Sequence, residues 1–163
     1  VVDLGLETVQ LPGRAPIELE VVRHPGGAAV VALDPEWRVC LLRQYRHAAG
    51  GWLWELPAGK LEPGEPAQVT ARRELEEEAG LQAGHWHHLG SVFTTPGFCD
   101  EQISLYMATE LTMVGARPQA HEAIEIHWLP FRSALQWCHE GEIRDAKTIV
   151  GLFLAAGQLQ DAR

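Results

Sequence analysis

The stretch from Pro63 to Gly80 constrains this chain more than any other, because it is bracketed as a helix at both ends. Pro63-Gly64-Glu65-Pro66 is a helix start, with Pro66 suited to the first helical position. Gly80 supplies the left-handed residue that stops the helix after Ala79. Between them Ala67, Ala71 and Leu75 recur at i, i+4 and i+8 and form one apolar stripe. Extended runs surround this helix. Glu18 to Val22, Ala28 to Leu33 and Arg38 to Gln44 precede it, and the turn Asp34-Pro35-Glu36 predicts that the last two form a hairpin. Leu89 to Thr95 and Ile103 to Ala108 follow it. Ala123 to Leu129 alternates, with Ile124, Ile126 and Trp128 on one face and Glu125 and His127 on the other. Phe131 to His139 and Asp145 to Gln158 read as helices. Strands, a helix, more strands and then helices predict an α+β fold with a mixed sheet between helices.

Composition narrows the function. The 163 residues favour one domain over 1–163, and 46% hydrophobic with 21% charged residues is globular composition, not disorder, collagen or coiled coil. A net charge of −9 argues against a general nucleic-acid binder and against a protein seated on anionic lipid. Cys40, Cys99 and Cys138 are odd in number and show no CxxC spacing, so free thiols in a reducing compartment are expected. The longest apolar stretch, Ile149 to Gly157, is too short to span a bilayer. No signal-peptide pattern opens the chain, which begins with Val1 instead of Met, as a trimmed chain would. A soluble cytoplasmic protein without nucleic-acid or membrane partners is the expectation.

The helix carries an unusual charge pattern. Glu74, Glu77 and Glu78 stand at i, i+3 and i+4, within about 100° of one face. Like charges at this spacing destabilise a helix by about 0.2–0.5 kcal/mol per pair. They are tolerable on a solvated face and favourable around a cation. All-oxygen donors point to Mg²⁺ or Mn²⁺, the usual companion of a phosphate substrate.

The spacing decides between these readings. Gly59, Glu65, Arg73-Glu74-Leu75, Glu77-Glu78 and Gly80-Leu81 resemble the Nudix box, GX5EX7REUXEEXGU with U aliphatic, at every fixed position. Seven fixed residues at about one in ten each give a chance match of order 10⁻⁷ per starting point. The resemblance implies a Nudix-type α/β/α sandwich with an N-terminal β extension. It also implies metal-dependent hydrolysis of a nucleoside diphosphate linked to another moiety. Glu74 and Glu78 then resemble the principal metal ligands, with Glu77 alongside and the carbonyl of Ala58 as a further ligand. Glu65 and Arg73 resemble the pair that holds the loop on the helix.

Other segments resemble the ADP-ribose pyrophosphatase subgroup. They are Arg43-Gln44-Tyr45-Arg46, Trp54-Glu55-Leu56-Pro57-Ala58-Gly59, and Pro96 placed 16 residues after Gly80. The resemblance implies a nucleotide-sugar substrate, with Arg46 approaching the diphosphate and Arg43 as a second candidate. Asp100 or Glu101 could accept from ribose hydroxyls. The general base would be a late-loop glutamate, Glu142, with Glu140 and Glu77 as rivals. A homodimer is implied, with strands of Val1 to Val22 exchanged between chains. Trp52 and Trp54 fit either an adenine platform or the core, and His85, His87 and His88 fit a polar surface turn. The reaction expected is ADP-ribose plus water to AMP and ribose 5-phosphate. The alternatives are another nucleoside diphosphate sugar or dinucleotide, and, from a different class, a non-catalytic sensor on the same fold.

Overall fold

The computed structural model describes residues 3–117 and 123–161. At its centre lies β3 (Gly27–Ala32), whose six residues are all buried. A strand covered on both faces must be apolar throughout, and Gly-Ala-Ala-Val-Val-Ala is. Ala29 and Val31 face one core, and Ala28, Val30 and Ala32 face the other. β3 pairs in parallel with β8 (Gln102–Met113) and antiparallel with the short β6 (Ala58–Lys60). The antiparallel β7 (Leu81–Phe93) completes a sheet of order β6-β3-β8-β7. A second sheet, of order β5-β4-β9, is antiparallel throughout and contains β5 (Gly51–Glu55), β4 (Arg38–Arg46) and β9 (Ile124–Pro130).

Helix α1 (Ala67–Ala79) covers one face of the first sheet through Ala71, Leu75 and Ala79. Burying a leucine such as Leu75 is worth about 1.5–3 kcal/mol. The other core takes residues from α2 (Phe131–Glu140) and α3 (Ala146–Asp161), including Ala134, Leu152 and Ala155. Helices on both sides of a mixed sheet make the expected α/β/α sandwich. The N-terminal extension is a separate hairpin of β1 (Asp3–Val9) and β2 (Ile17–Arg23). Residues 1 and 2 of the segment expected to exchange lie outside the described residues. Among the described residues no helix is long and apolar enough to cross a membrane.

Three local expectations need correction. The runs around Asp34-Pro35-Glu36 do not form a regular hairpin. Only Leu33 and Val39 bridge, and β3 and β4 then enter different sheets. The turn chemistry is present, since Asp34 Oδ1 accepts the Arg38 N–H at 2.7 Å, but the fully buried β3 pairs with β6 and β8, and β4 with β5 and β9. His85, His87 and His88 lie in β7 and not in a turn. Their register with Thr109, Met107 and Tyr106 of β8 orders a segment whose local composition is polar. Pro66 is the extended residue before the helix (ψ 140°), one position earlier than expected. Ile126 of β9 stays 41% exposed, while His127 on the opposite face stacks edge-on against Trp54 at 4.9 Å.

Candidate active site

The stripe that pins α1 to the sheet also fixes its carboxylates. With Ala71, Leu75 and Ala79 against β3, the neighbouring Glu74 and Glu78 are carried to the edge of β6 and are buried. Glu78 Oε2 accepts the Ala58 N–H at 2.8 Å. Glu74 lies so close to Gly59 that a Cβ there would sit 1.9 Å from Glu74 Oε1. The first glycine of the box is therefore a space requirement. Gly59→Ala is expected to leave the backbone in place and force Glu74 aside. We expect a loss of turnover of at least about 100-fold with less than about 2 kcal/mol of destabilisation. Parallel activity assays and thermal melts would check both numbers.

Arg73 organises the loop. Its Nη2 lies 3.1 Å from Glu65 Oε2, its Nη1 lies 2.6 Å from Glu74 Oε1, and it donates to the Lys60 carbonyl at 3.2 Å. Glu65 also accepts from Thr70 Oγ1 at 2.7 Å and from the Glu62 N–H at 3.1 Å. The hydrogen bonds from Arg73, then Thr70 and Glu62, lower its pKa from 4.5 to about 2. The folded value is depressed, so this stabilisation is complete above pH 4.5 and disappears as pH falls toward 2. The melting-temperature gap between wild type and Glu65→Gln should shrink over that window.

Of these groups, Arg73, Glu74 and Glu78 line a pocket of about 780 Å³. Arg46, Asp145 and Lys147 line the same pocket, as do His24, Thr94 and Glu101. Glu101 accepts from Thr94 Oγ1 at 2.7 Å and lies 3.3 Å from His24 Nδ1. Asp100 instead ties the N-terminal hairpin down, accepting the His24 N–H at 2.7 Å and pairing with Arg23 at 3.0 Å. Cys40 lies beneath the carboxylates. Burial, and then the charge of Glu78, push its thiol up to about 12.

Of the residues singled out in the sequence, Ala58, Glu74, Glu78, Arg46 and Glu101 meet at this pocket. Glu77 lies beside it, 3.7 Å from Arg73, and is not part of the lining. Arg43 points to the other face of β4, 3.6 Å from Glu125 and over the Trp52 ring at 5.4 Å. Glu142 is exposed on the loop between α2 and α3, three residues before Asp145. Trp54 packs between His127 and Trp137, and Trp52 stands 40% exposed beside Tyr45; neither lines the pocket. Sequence reasoning missed Glu55, Asp145 and Lys147. The available signal was a carboxylate inside the apolar run Trp52 to Leu56.

The donors suit a hard cation, since the carboxylates of Glu74 and Glu78 and the Ala58 carbonyl would offer it only oxygen. Among the described residues no three acidic, histidine or cysteine side chains are gathered closely enough to hold an ion as they stand. The residue types fit a metal, and the side chains need to turn to receive it.

The NUDIX domain model matches residues 23–150. An ADP-ribose pyrophosphatase of Mycobacterium tuberculosis is 43% identical over 153 residues, covering 91% of this chain and 73% of that protein. A methanol dehydrogenase activator of Bacillus methanolicus is 40% identical over 164 residues, covering 99% of this chain and 88% of that protein. A crystal structure of an ADP compounds hydrolase superposes with a TM-score of 0.79 at 19% identity, covering 99% of this chain and 95% of that chain, and so supports the fold. Box, sandwich and matched domain converge on one conclusion: this chain belongs to the Nudix family and is a Nudix hydrolase.

Proposed function

We propose that this chain hydrolyses the pyrophosphate bond of ADP-ribose, giving AMP and ribose 5-phosphate, with Mg²⁺ as the working ion and Mn²⁺ as a substitute. The observation that carries this is one pocket lined by the box carboxylates Glu74 and Glu78 together with Arg46 and Glu101. Its volume of about 780 Å³ falls in the range of small-molecule and cofactor sites.

In this reading Glu74, Glu78 and the Ala58 carbonyl hold the ion, and Glu77 assists from the rim. A divalent cation bound there offsets phosphate charge and acidifies water. Arg46 orients the diphosphate through charge-assisted hydrogen bonds. Glu101 accepts from a ribose hydroxyl, and Arg43 serves from the far face of β4 only where another chain brings substrate to it. Glu142 takes the proton of the attacking water. It reaches the pocket when the loop that begins at Gly141 turns inward. Gly141 has φ 79° and Glu142 is exposed, while the next residue, Ile143, is anchored in the core, so the movement is one of Gly141 and the Glu142 side chain. Glu142→Gln is expected to lower kcat about 10²–10⁴-fold, the usual range for a general base. An unchanged kcat would remove Glu142 from this role.

The proposal includes a homodimer in the cytoplasm. Leu4 and Leu6 of the N-terminal hairpin are 69% and 68% exposed, and an isolated two-stranded hairpin is marginal in water. A second copy of the chain would cover them. Sedimentation as a monomer at micromolar concentration would contradict this.

The substrate test is hydrolysis of a panel of nucleoside diphosphate compounds, with Mg²⁺ and with chelator. Metal-dependent turnover led by ADP-ribose is expected. One relative is named for activating a dehydrogenase, so the panel should include dinucleotides and other nucleotide sugars. A lead by one of those would keep the chemistry and change the substrate.

A further inference from the structure

Glu55 is a buried carboxylate that the reaction above does not use. It ends β5 with 1% exposure. A buried carboxylate is costly unless paired, and this one is paired twice. Its Oε1 accepts from Arg46 Nε at 2.8 Å. Its Oε2 accepts from Arg46 Nη2 at 2.9 Å and from Lys147 Nζ at 2.6 Å. Burial raises the carboxyl's pKa, but the bonds from Arg46 and Lys147 outweigh it and keep the group below its ordinary value.

Both cations have a donor to spare. Arg46 spends Nε and Nη2 on Glu55, and its Nη1 has no partner among the described residues. Lys147 donates one N–H to Glu55 and lies 3.0 Å from Asp145 Oδ1, which still leaves at least one of its three N–H groups. Both side chains line the pocket that holds Glu74 and Glu78. Bonds of 2.9 and 2.6 Å to one oxygen keep Arg46 Nη2 and Lys147 Nζ within 5.5 Å of each other. That separation suits neighbouring non-bridging oxygens of one diphosphate.

The backbone that carries Lys147 is fixed by neighbouring contacts, which leaves Glu55 to set the side chain. Asp145 Oδ2 accepts from the Thr148 N–H at 3.0 Å and from Thr148 Oγ1 at 2.6 Å, capping α3. Thr148 Oγ1 in turn accepts the Leu56 N–H at 2.9 Å, one residue beyond Glu55. The start of α3 is thereby tied to the end of β5.

We propose that Lys147 is a second ligand to the substrate's diphosphate, and that Glu55 is the positioning residue that sets Lys147 and Arg46 as one clamp. This rests on the diphosphate-hydrolase reading of the pocket. A lysine that only tied α3 to β5 would affect stability and leave ligand affinity alone.

The experiment pairs calorimetric titration of ADP in Mg²⁺ with steady-state hydrolysis of ADP-ribose and a thermal melt. Lys147→Met keeps the aliphatic stem and removes the ammonium. It should weaken ADP binding about 10- to 100-fold and raise KM for ADP-ribose by a similar factor, with kcat within about threefold. Lys147→Arg should recover most of the loss. Glu55→Gln should weaken ADP binding about 10-fold, and adding Lys147→Met to it should cost less than about threefold more, because the two act as a unit. ADP affinity within twofold of wild type in Lys147→Met would overturn the clamp, as would a fall in kcat with KM unchanged. If Glu55→Gln does not fold, the two Lys147 variants decide alone. ADP binding by a wild type that leaves ADP-ribose intact would sink the substrate and leave the clamp to the titration. A wild type that binds no ADP would overturn both.

Discussion

Glu78→Gln is expected to lower Mg²⁺-dependent turnover by at least about 10³-fold while leaving the melting temperature within a few degrees of wild type. The two halves have separate causes. Glu78 is 3% exposed, and its Oε2 accepts the Ala58 N–H at 2.8 Å. A glutamine amide oxygen can accept that same bond, so the packing of α1 on β6 survives. The charge does not. Under the proposal Glu78 is a principal metal ligand, and electrostatic stabilisation by a bound cation is worth several kcal/mol of the barrier. A kcat/KM within threefold of wild type would remove Glu78 from the site. A collapse in melting temperature would instead mean that its negative charge holds the fold.

Gly80→Ala should have the largest effect on stability, about 2–5 kcal/mol, or roughly 5–20 °C in melting temperature. Gly80 has φ 66°, which an alanine adopts only with strain. Its Cβ would also lie 2.3 Å from the Ala116 nitrogen and 2.6 Å from the Gly115 carbonyl carbon. Those atoms are backbone and cannot swing aside. They belong to a segment that closes over the end of α1. The Val114 N–H donates to the Gly80 carbonyl at 2.8 Å, and the Arg117 N–H to the Glu77 carbonyl at 2.8 Å. Gly64 is an internal control. It has φ 78° with open space around its added Cβ, so Gly64→Ala carries the strain alone, about 1 kcal/mol. Denaturant melts of the two variants should differ by the clash. Equal effects would show that segment 114–117 yields.

Much of the architecture was legible because it is local. α1 was readable to within one residue, since its stop is a glycine and its stripe is periodic. β9 was readable from its alternation, and both C-terminal helices were readable to within a few residues at their ends. The rest depended on pairings between distant residues. β3 and β4 have the composition and turn of a hairpin, yet β3 pairs with β8, some seventy residues further on. The histidines after α1 look like a turn until β8 lies beside them. The candidate site divides in the same way. Spacing within one helix named Glu74 and Glu78, and the structure places both at the pocket. The Glu55–Lys147 contact joins residues 92 apart, and no local pattern announces it.

The parallel pairing of β3 with β8 has a consequence for how the chain assembles. Gly27 is in register with Ile103, and the pairing runs to Ala32 with Ala108. During synthesis the central strand must wait for its partner while the chain between them, including the whole box, is already made. Closing so long a loop carries its entropy cost before any sheet contact offsets it. Until then α1 packs on a sheet that lacks β8, and β3 keeps an open edge of Ala and Val. A ribosome-bound chain ending before Gln102 would therefore expose an unpaired strand edge. That is the stage at which aggregation would begin and a chaperone would be most useful.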